Sequence, residues 1–74
     1  MTLGEQRVRT TFNPEQNSKV DVIKQKAAEL INLIDKLERK ENDPKKIGEF
    51  VRLKSLAMTS FEEGAMWAVK ACTM

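Results

Sequence analysis

Two stretches with a helical apolar period meet at a single break, Asp43-Pro44, and that break constrains the fold more than any other feature of the chain. Asp is a preferred helix N-cap, and Pro suits the first helical position, where its missing N–H has no intrahelical partner to lose. A new helix therefore starts there. The charged run before it, Glu38-Arg39-Lys40-Glu41-Asn42, offers nothing apolar to a core. A connection this short predicts two antiparallel helices, an αα-hairpin.

The first helix is expected to start near Asn17 or Ser18, with Ser18 and Asp21 spaced as in a capping box. Val20, Ile23, Ala27, Leu30, Ile34 and Leu37 then form a heptad seam. Val22, Ile31 and Leu33 widen that seam beyond what one partner helix covers. The second helix is expected to run to about Cys72, with Ile47, Phe50, Val51, Leu53, Ala57, Phe61, Ala65 and Ala68 able to face the first. Leu56, Met58, Met66, Trp67 and Val69 stay outside that contact. Gly48 either delays the helix start to near Glu49 or permits a close approach, and both readings stay open.

A chain of 74 residues is one small domain, and at this size only about 60% of the unfolded surface is buried. Disulfides, metal or assembly usually make up the deficit. Cys72 is the only cysteine and there is no histidine, so assembly is the expected remedy and Cys72 a small apolar residue in a reducing cytosol. The stretch Thr59–Thr73, where Met66 and Trp67 sit among Gly64, Ala65, Ala68 and Ala71, reads as the assembly surface. Ser60, Gly64 and Ala68 recur every fourth residue and form a smooth ridge on it.

Residues 1–16 carry no helical period. Arg7-Val8-Arg9-Thr10-Thr11-Phe12 alternates and is rich in β-branched residues, and Asn13-Pro14 signals a turn. The expected organisation is thus a single domain, 1–74, with an extended N-terminal arm over 1–16 and a helical hairpin over 17–74. A frayed tail is the alternative for the arm.

The chemistry narrows next. The chain has no His, no Tyr, no metal-ligand spacing and no Gly-rich phosphate loop, so neither enzyme activity nor a metal or cofactor is expected. Glu62 and Glu63 are helical neighbours pointing about 100° apart, which suits a solvated face better than a carboxylate pair. A net charge of +2 is too balanced for bulk DNA binding. No apolar run spans a membrane and no secretory signal is evident, so a cytoplasmic protein without DNA or membrane partners is expected.

Binding of small anions remains. Arg7, Arg9, Lys24 and Lys26 lie in or near the arm, and Phe12 is the only aromatic outside the second helix. A π-face beside Arg or Lys suits a nucleobase stacked near its phosphate. The competing reading is that Phe12 docks the arm and the lysines keep it soluble. Arg52, Ser55 and Thr59 share a helical face, which is a phosphate-reading strip or simply a solvated one. Trp67 reads as an interface anchor.

Three segments resemble a known family. They are Arg9-Thr10-Thr11-Phe12-Asn13-Pro14, the run from Val20-Asp21-Val22-Ile23-Lys24 to Ile34, and Glu63-Gly64-Ala65-Met66-Trp67-Ala68-Val69-Lys70-Ala71. Together they resemble the small helical-hairpin domain of bacteriophage antagonists of CBASS and Thoeris defence. The resemblance implies a phage-encoded sponge in the cytoplasm of the infected cell. It would assemble as a homohexamer and bind cyclic di- or trinucleotide messengers without cleaving them.

Carried onto this chain, the resemblance implies a stacking role for Phe12 and a phosphate contact for Lys24. Arg52 and Thr59 are expected at a second, three-fold site, and Arg9 and Lys26 complete the ligand-binding set. Phe12 stands where relatives carry Tyr, and Lys70 where Arg is common. The alternative function is a structural or protein-interaction bundle. The fold class is in either case all-α, an antiparallel two-helix hairpin with an arm, assembling into a helical bundle.

Overall fold

The computed structural model describes residues 1–40 and 42–74. Among them the helices are α1 (Leu3–Val8), α2 (Ser18–Asp35) and α3 (Pro44–Cys72), with no strand. α2 and α3 form the expected hairpin. Lys54 of α3 lies at the C-terminal end of α2, whereas Lys24, near the start of α2, shares a cleft with Val69 near the end of α3. The two helices are therefore antiparallel.

Local caps fix the ends. Asn17 caps α2, its side chain accepting from the N–H groups of Lys19 at 2.9 Å and Val20 at 3.3 Å. The cap thus precedes Ser18, and no Ser18–Asp21 box forms. Asp21 instead accepts from Asn13 Nδ2 at 2.8 Å. At the other end, Lys54 Nζ donates to the carbonyls of Asp35 at 2.6 Å and Leu37 at 3.3 Å, satisfying backbone acceptors that the helix leaves open. α3 starts at the expected break, with Asp43 accepting from Lys45 N–H at 2.9 Å and Pro44 in the first helical position. Gly48 does neither thing considered for it: α3 runs straight through, and a Cβ there would meet nothing within 4 Å.

The extended arm is corrected. Residues 3–8 are a helix, because Thr2 and Glu5 form a complete capping box: Glu5 N–H donates to Thr2 Oγ1 at 3.1 Å, and Thr2 N–H donates to Glu5 Oε1 at 2.8 Å. This turn packs mainly on α2. Gly4 makes the approach possible, since a Cβ there would lie 2.1 Å from the Ala28 carbonyl oxygen. The same approach lets Gly4 N–H donate to Asn32 Oδ1 at 2.7 Å, while Asn32 Nδ2 donates to Thr2 Oγ1 at 3.0 Å.

α1 also rotates the core. The buried cluster is Val8, Ala27, Ala28, Ile31, Met58 and Ala65, with Ile23 and Ile34 packed against it. Leu30 and Leu37, assigned to the seam from the heptad, are exposed: α1 packs on the Ala28–Asn32 side of α2 rather than over Leu30, and Leu37 lies past the end of α2. Met58, placed outside the hairpin contact, is buried within it.

The chain does not close on itself. Its extents are 48 × 22 × 12 Å, so it is one helix layer thick. The radius of gyration is 14.5 Å, against about 11 Å for a compact chain of this length. Leu33, Leu53, Leu56, Met66 and Trp67 consequently face solvent.

Candidate functional site

The arm reverses at Arg9, whose left-handed backbone (φ 57, ψ 58) caps α1 and sends the chain back toward the start of α2. Two backbone hydrogen bonds hold the reversal, Phe12 N–H to the Arg9 carbonyl at 2.9 Å and Gln16 N–H to the Asn13 carbonyl at 3.0 Å. Asn13 then ties this turn to α2, donating from Nδ2 to the Asn17 carbonyl at 2.8 Å and accepting from Asn17 N–H at 3.1 Å. Asn13-Pro14 is thus the turn that the sequence signals, and it sits directly against a helix start.

Lys24 lies beneath this reversal. Only 6% of it is exposed, and its ammonium donates to the Arg9 carbonyl at 3.0 Å and to the Phe12 carbonyl. Burial lowers its pKa from the ordinary lysine value and the nearby Arg9 charge adds to this, with Asp21 opposing. Among the described residues no buried side-chain nitrogen or oxygen lacks a hydrogen-bond partner, so Lys24 is tolerated through its carbonyl contacts.

Phe12 is the reverse case, an aromatic ring 52% exposed. The Arg9 guanidinium carbon lies 4.4 Å from the ring centroid and Lys24 Nζ lies 5.3 Å from it. Both distances are within the range of cation–π attraction. The ring borders two clefts, one of about 560 Å³ and one of about 230 Å³, and Lys24 borders both as well.

The larger cleft has a charged rim and an apolar wall. Arg7, Arg9 and Lys24 stand opposite Ala65, Met66 and Val69 of α3, with Thr59, Glu62 and Glu63 completing the α3 side. Arg7 crosses between helices, donating from Nε to Glu62 Oε1 at 2.6 Å and from Nη2 to Thr59 Oγ1 at 3.2 Å. A volume of this size is ordinary for a small-molecule site. What it offers chemically is a flat ring for stacking and several cations for an anion.

Four of the six expected ligand residues, Arg9, Phe12, Lys24 and Thr59, line this one cleft. Lys26 does not. It is exposed on α2, 3.8 Å from Glu29. Arg52 also lies outside, bound to Glu49 by Nη2 at 2.5 Å and Nε at 3.0 Å. These bonds raise the Arg52 pKa and lower that of Glu49. The Arg52–Thr59 strip is therefore divided: Thr59 joins the cleft by bonding Arg7, and Arg52 turns to its own helix.

Arg7, grouped with the cations of the arm, and Glu62, read as part of a solvated face, line the cleft and meet each other there, though neither stood in the expected ligand set. Their one signal is a charge pair of opposite sign, which carries no information about a contact between positions 55 residues apart. Trp67 is half exposed, with Lys70 Nζ 5.5 Å from its ring centroid and its indole N–H 3.4 Å from Glu63 Oε1. Among the described residues no group of His, Cys, Asp and Glu is placed to hold a metal, and no helix is long and apolar enough to cross a membrane.

Comparison with known proteins gives one result. The family model described as the Acb2/Tad1 hairpin domain matches residues 4–73. This is the phage hairpin family that the arm and C-terminal motifs resemble. No curated protein and no solved structure matches the chain.

Proposed function

The chain belongs to the Acb2/Tad1 hairpin family, and from that membership we propose that it is a phage-encoded antagonist of bacterial immunity that sequesters cyclic oligonucleotide messengers. The family is of a binding type rather than a catalytic one. The observation that carries the reading is the half-exposed Phe12 ring, flanked by two cations at the mouth of a cleft about 560 Å³ in volume.

In this reading a base stacks on Phe12, which is worth about 1–3 kcal/mol per base where such stacks have been measured. The adjoining phosphate meets Arg9 and Lys24. An ammonium has three N–H donors, and the carbonyls of Arg9 and Phe12 take two of them. One donor remains for a phosphate oxygen. The incoming anion also offsets the burial and the Arg9 repulsion that lower the Lys24 pKa, so ligand and lysine charge stabilise each other.

Assembly completes the proposal. A cyclic dinucleotide is close to two-fold symmetric, so two copies of this cleft facing each other present each half with the same residues. The open apolar residues of α2 and α3, Leu33, Leu56, Met66 and Trp67 among them, supply surface for such contacts within a homohexamer. Lys26 and Arg52 lie outside the single-chain cleft and would meet a ligand, including a cyclic trinucleotide on a three-fold axis, only at a site that other copies complete. The ligand is held without being cleaved.

The experiment is titration calorimetry and native mass spectrometry of the purified protein against a panel of cyclic di- and trinucleotides. Binding at micromolar concentration, with intact ligand recovered after denaturation, is the expected result. No binding by any member of the panel would leave the structural or protein-interaction bundle as the better reading.

A further inference from the structure

The cleft contains groups that holding a bare anion does not use. Glu62 and Glu63 line it together with Arg7, Arg9 and Lys24. A carboxylate facing a phosphate weakens binding through like-charge repulsion, the more so as water is excluded. In a nucleotide site a carboxylate is favourable where it accepts hydrogen bonds from the donor edge of a base.

Of the two, Glu62 is the one that the fold holds in place. Its Oε1 accepts from Arg7 Nε at 2.6 Å, and Arg7 is itself anchored by Thr59 Oγ1 at 3.2 Å from Nη2. Because Nη2 goes to Thr59, the ion pair is single rather than bidentate. A carboxylate can accept about four hydrogen bonds, so Glu62 retains acceptor capacity. Its side chain is 41% exposed and accessible from the cleft. Glu63 is less defined, meeting only the indole N–H at a long 3.4 Å.

We infer that Glu62 selects the base: its carboxylate accepts from the N1–H and 2-amino group of a guanine stacked on Phe12, so the cleft prefers guanine to adenine. Guanine presents two adjacent donors on that edge, which match two carboxylate oxygens. Adenine presents one amino donor beside an N1 acceptor, whose lone pair faces the carboxylate unfavourably. Arg7 is a positioning residue, keeping the Glu62 carboxylate turned into the cleft. The inference rests on the cyclic-nucleotide reading above and adds base selectivity to it.

The test is calorimetry of the full chain with cyclic di-GMP, cyclic di-AMP and cyclic di-IMP, which keeps N1–H but lacks the 2-amino group. Cyclic di-GMP should bind about tenfold or more tighter than cyclic di-AMP, with cyclic di-IMP between them, since good base-edge pairs discriminate at this level. Glu62→Gln, checked for helicity by circular dichroism, should bring the GMP-to-AMP ratio close to one.

Equal binding of all three ligands by the wild type, or a preference for adenine, would overturn the assignment without using any variant. So would a Glu62→Gln protein that weakens GMP and AMP ligands by the same factor, which is what a mere tether between α1 and α3 would do. Failure of the wild type to bind any of the three overturns this inference, and the proposed function falls with it only where the wider panel of cyclic di- and trinucleotides also fails to bind. Binding without selectivity overturns the inference alone.

Discussion

At the arm end of the hairpin, α1 and the turn after it meet α2 from its start to Asn32 and α3 from Met58 onward; at the loop end only α2 and α3 remain. The arm end holds the buried residues Val8, Val20, Ala27 and Ala28, and among the described residues no buried side-chain nitrogen or oxygen lacks a partner. The loop end shows Leu37, Ile47, Val51, Leu53 and Leu56 to solvent. The third element makes the difference, because a two-helix contact covers one stripe of each helix and leaves the rest wet. The single chain thus builds its cleft where it is best packed. Its loop end leaves apolar side chains in water.

The largest effect should separate the two ends. Ile31→Ala removes a side chain with no exposure at the junction of all three helices, and should cost about 2–5 kcal/mol. Leu37→Ala, at a position 49% exposed, should cost less than about 1 kcal/mol in the monomer, since much of it is already in water. Chemical denaturation at low protein concentration checks both. Equal costs would erase the contrast.

Gly4→Ala addresses the third element directly. Alanine is better than glycine inside a helix by about 1 kcal/mol, but its Cβ would sit 2.1 Å from the Ala28 carbonyl oxygen. The clash should win, so α1 lifts away and Val8 loses amide protection in hydrogen exchange while α3 keeps it. A smaller loosening should follow Thr2→Ala, about 1 kcal/mol for a lost N-cap.

Acid should reproduce that loosening in the wild type. The hydrogen bonds from Thr2, first from its backbone N–H and then from its hydroxyl, hold the Glu5 carboxyl below its ordinary pKa. A depressed folded pKa means the stabilisation is complete above the ordinary glutamate value of about 4.3 and is lost as pH falls through the folded value. Amide protection factors in α1, taken relative to the intrinsic exchange rate at each pH, should therefore fall at acidic pH before those in α3, and in Thr2→Ala the pH dependence should shrink.

The hairpin was legible in the sequence because its signals are local: Asp43-Pro44, the heptad from Val20, and the Asn13-Pro14 turn all act within a few residues. α1 was not, because six residues are too few to show a period, although Thr2 and Glu5 carried a capping-box spacing. Missing α1 also misplaced Leu30, since the covered side of α2 depends on what lies across it, while Leu37 falls past the end of α2 at Asp35. For the cleft, the motif brought out Arg9, Phe12 and Lys24. It was silent on the Arg7–Glu62 contact and on the carbonyls that hold Lys24, because a backbone oxygen has no sequence identity to read.

The most direct measurement pits the two ends against each other with one ligand. Calorimetry of a cyclic dinucleotide against the wild type, Phe12→Ala and Arg52→Ala, with oligomeric state checked by native mass spectrometry, reads the arm end and the exposed face of α3 separately. The account predicts that Phe12→Ala weakens binding about tenfold or more through the lost stack, while assembly persists and Arg52→Ala binds as the wild type does. Unchanged affinity in Phe12→Ala, or loss of binding in Arg52→Ala alone, would contradict it.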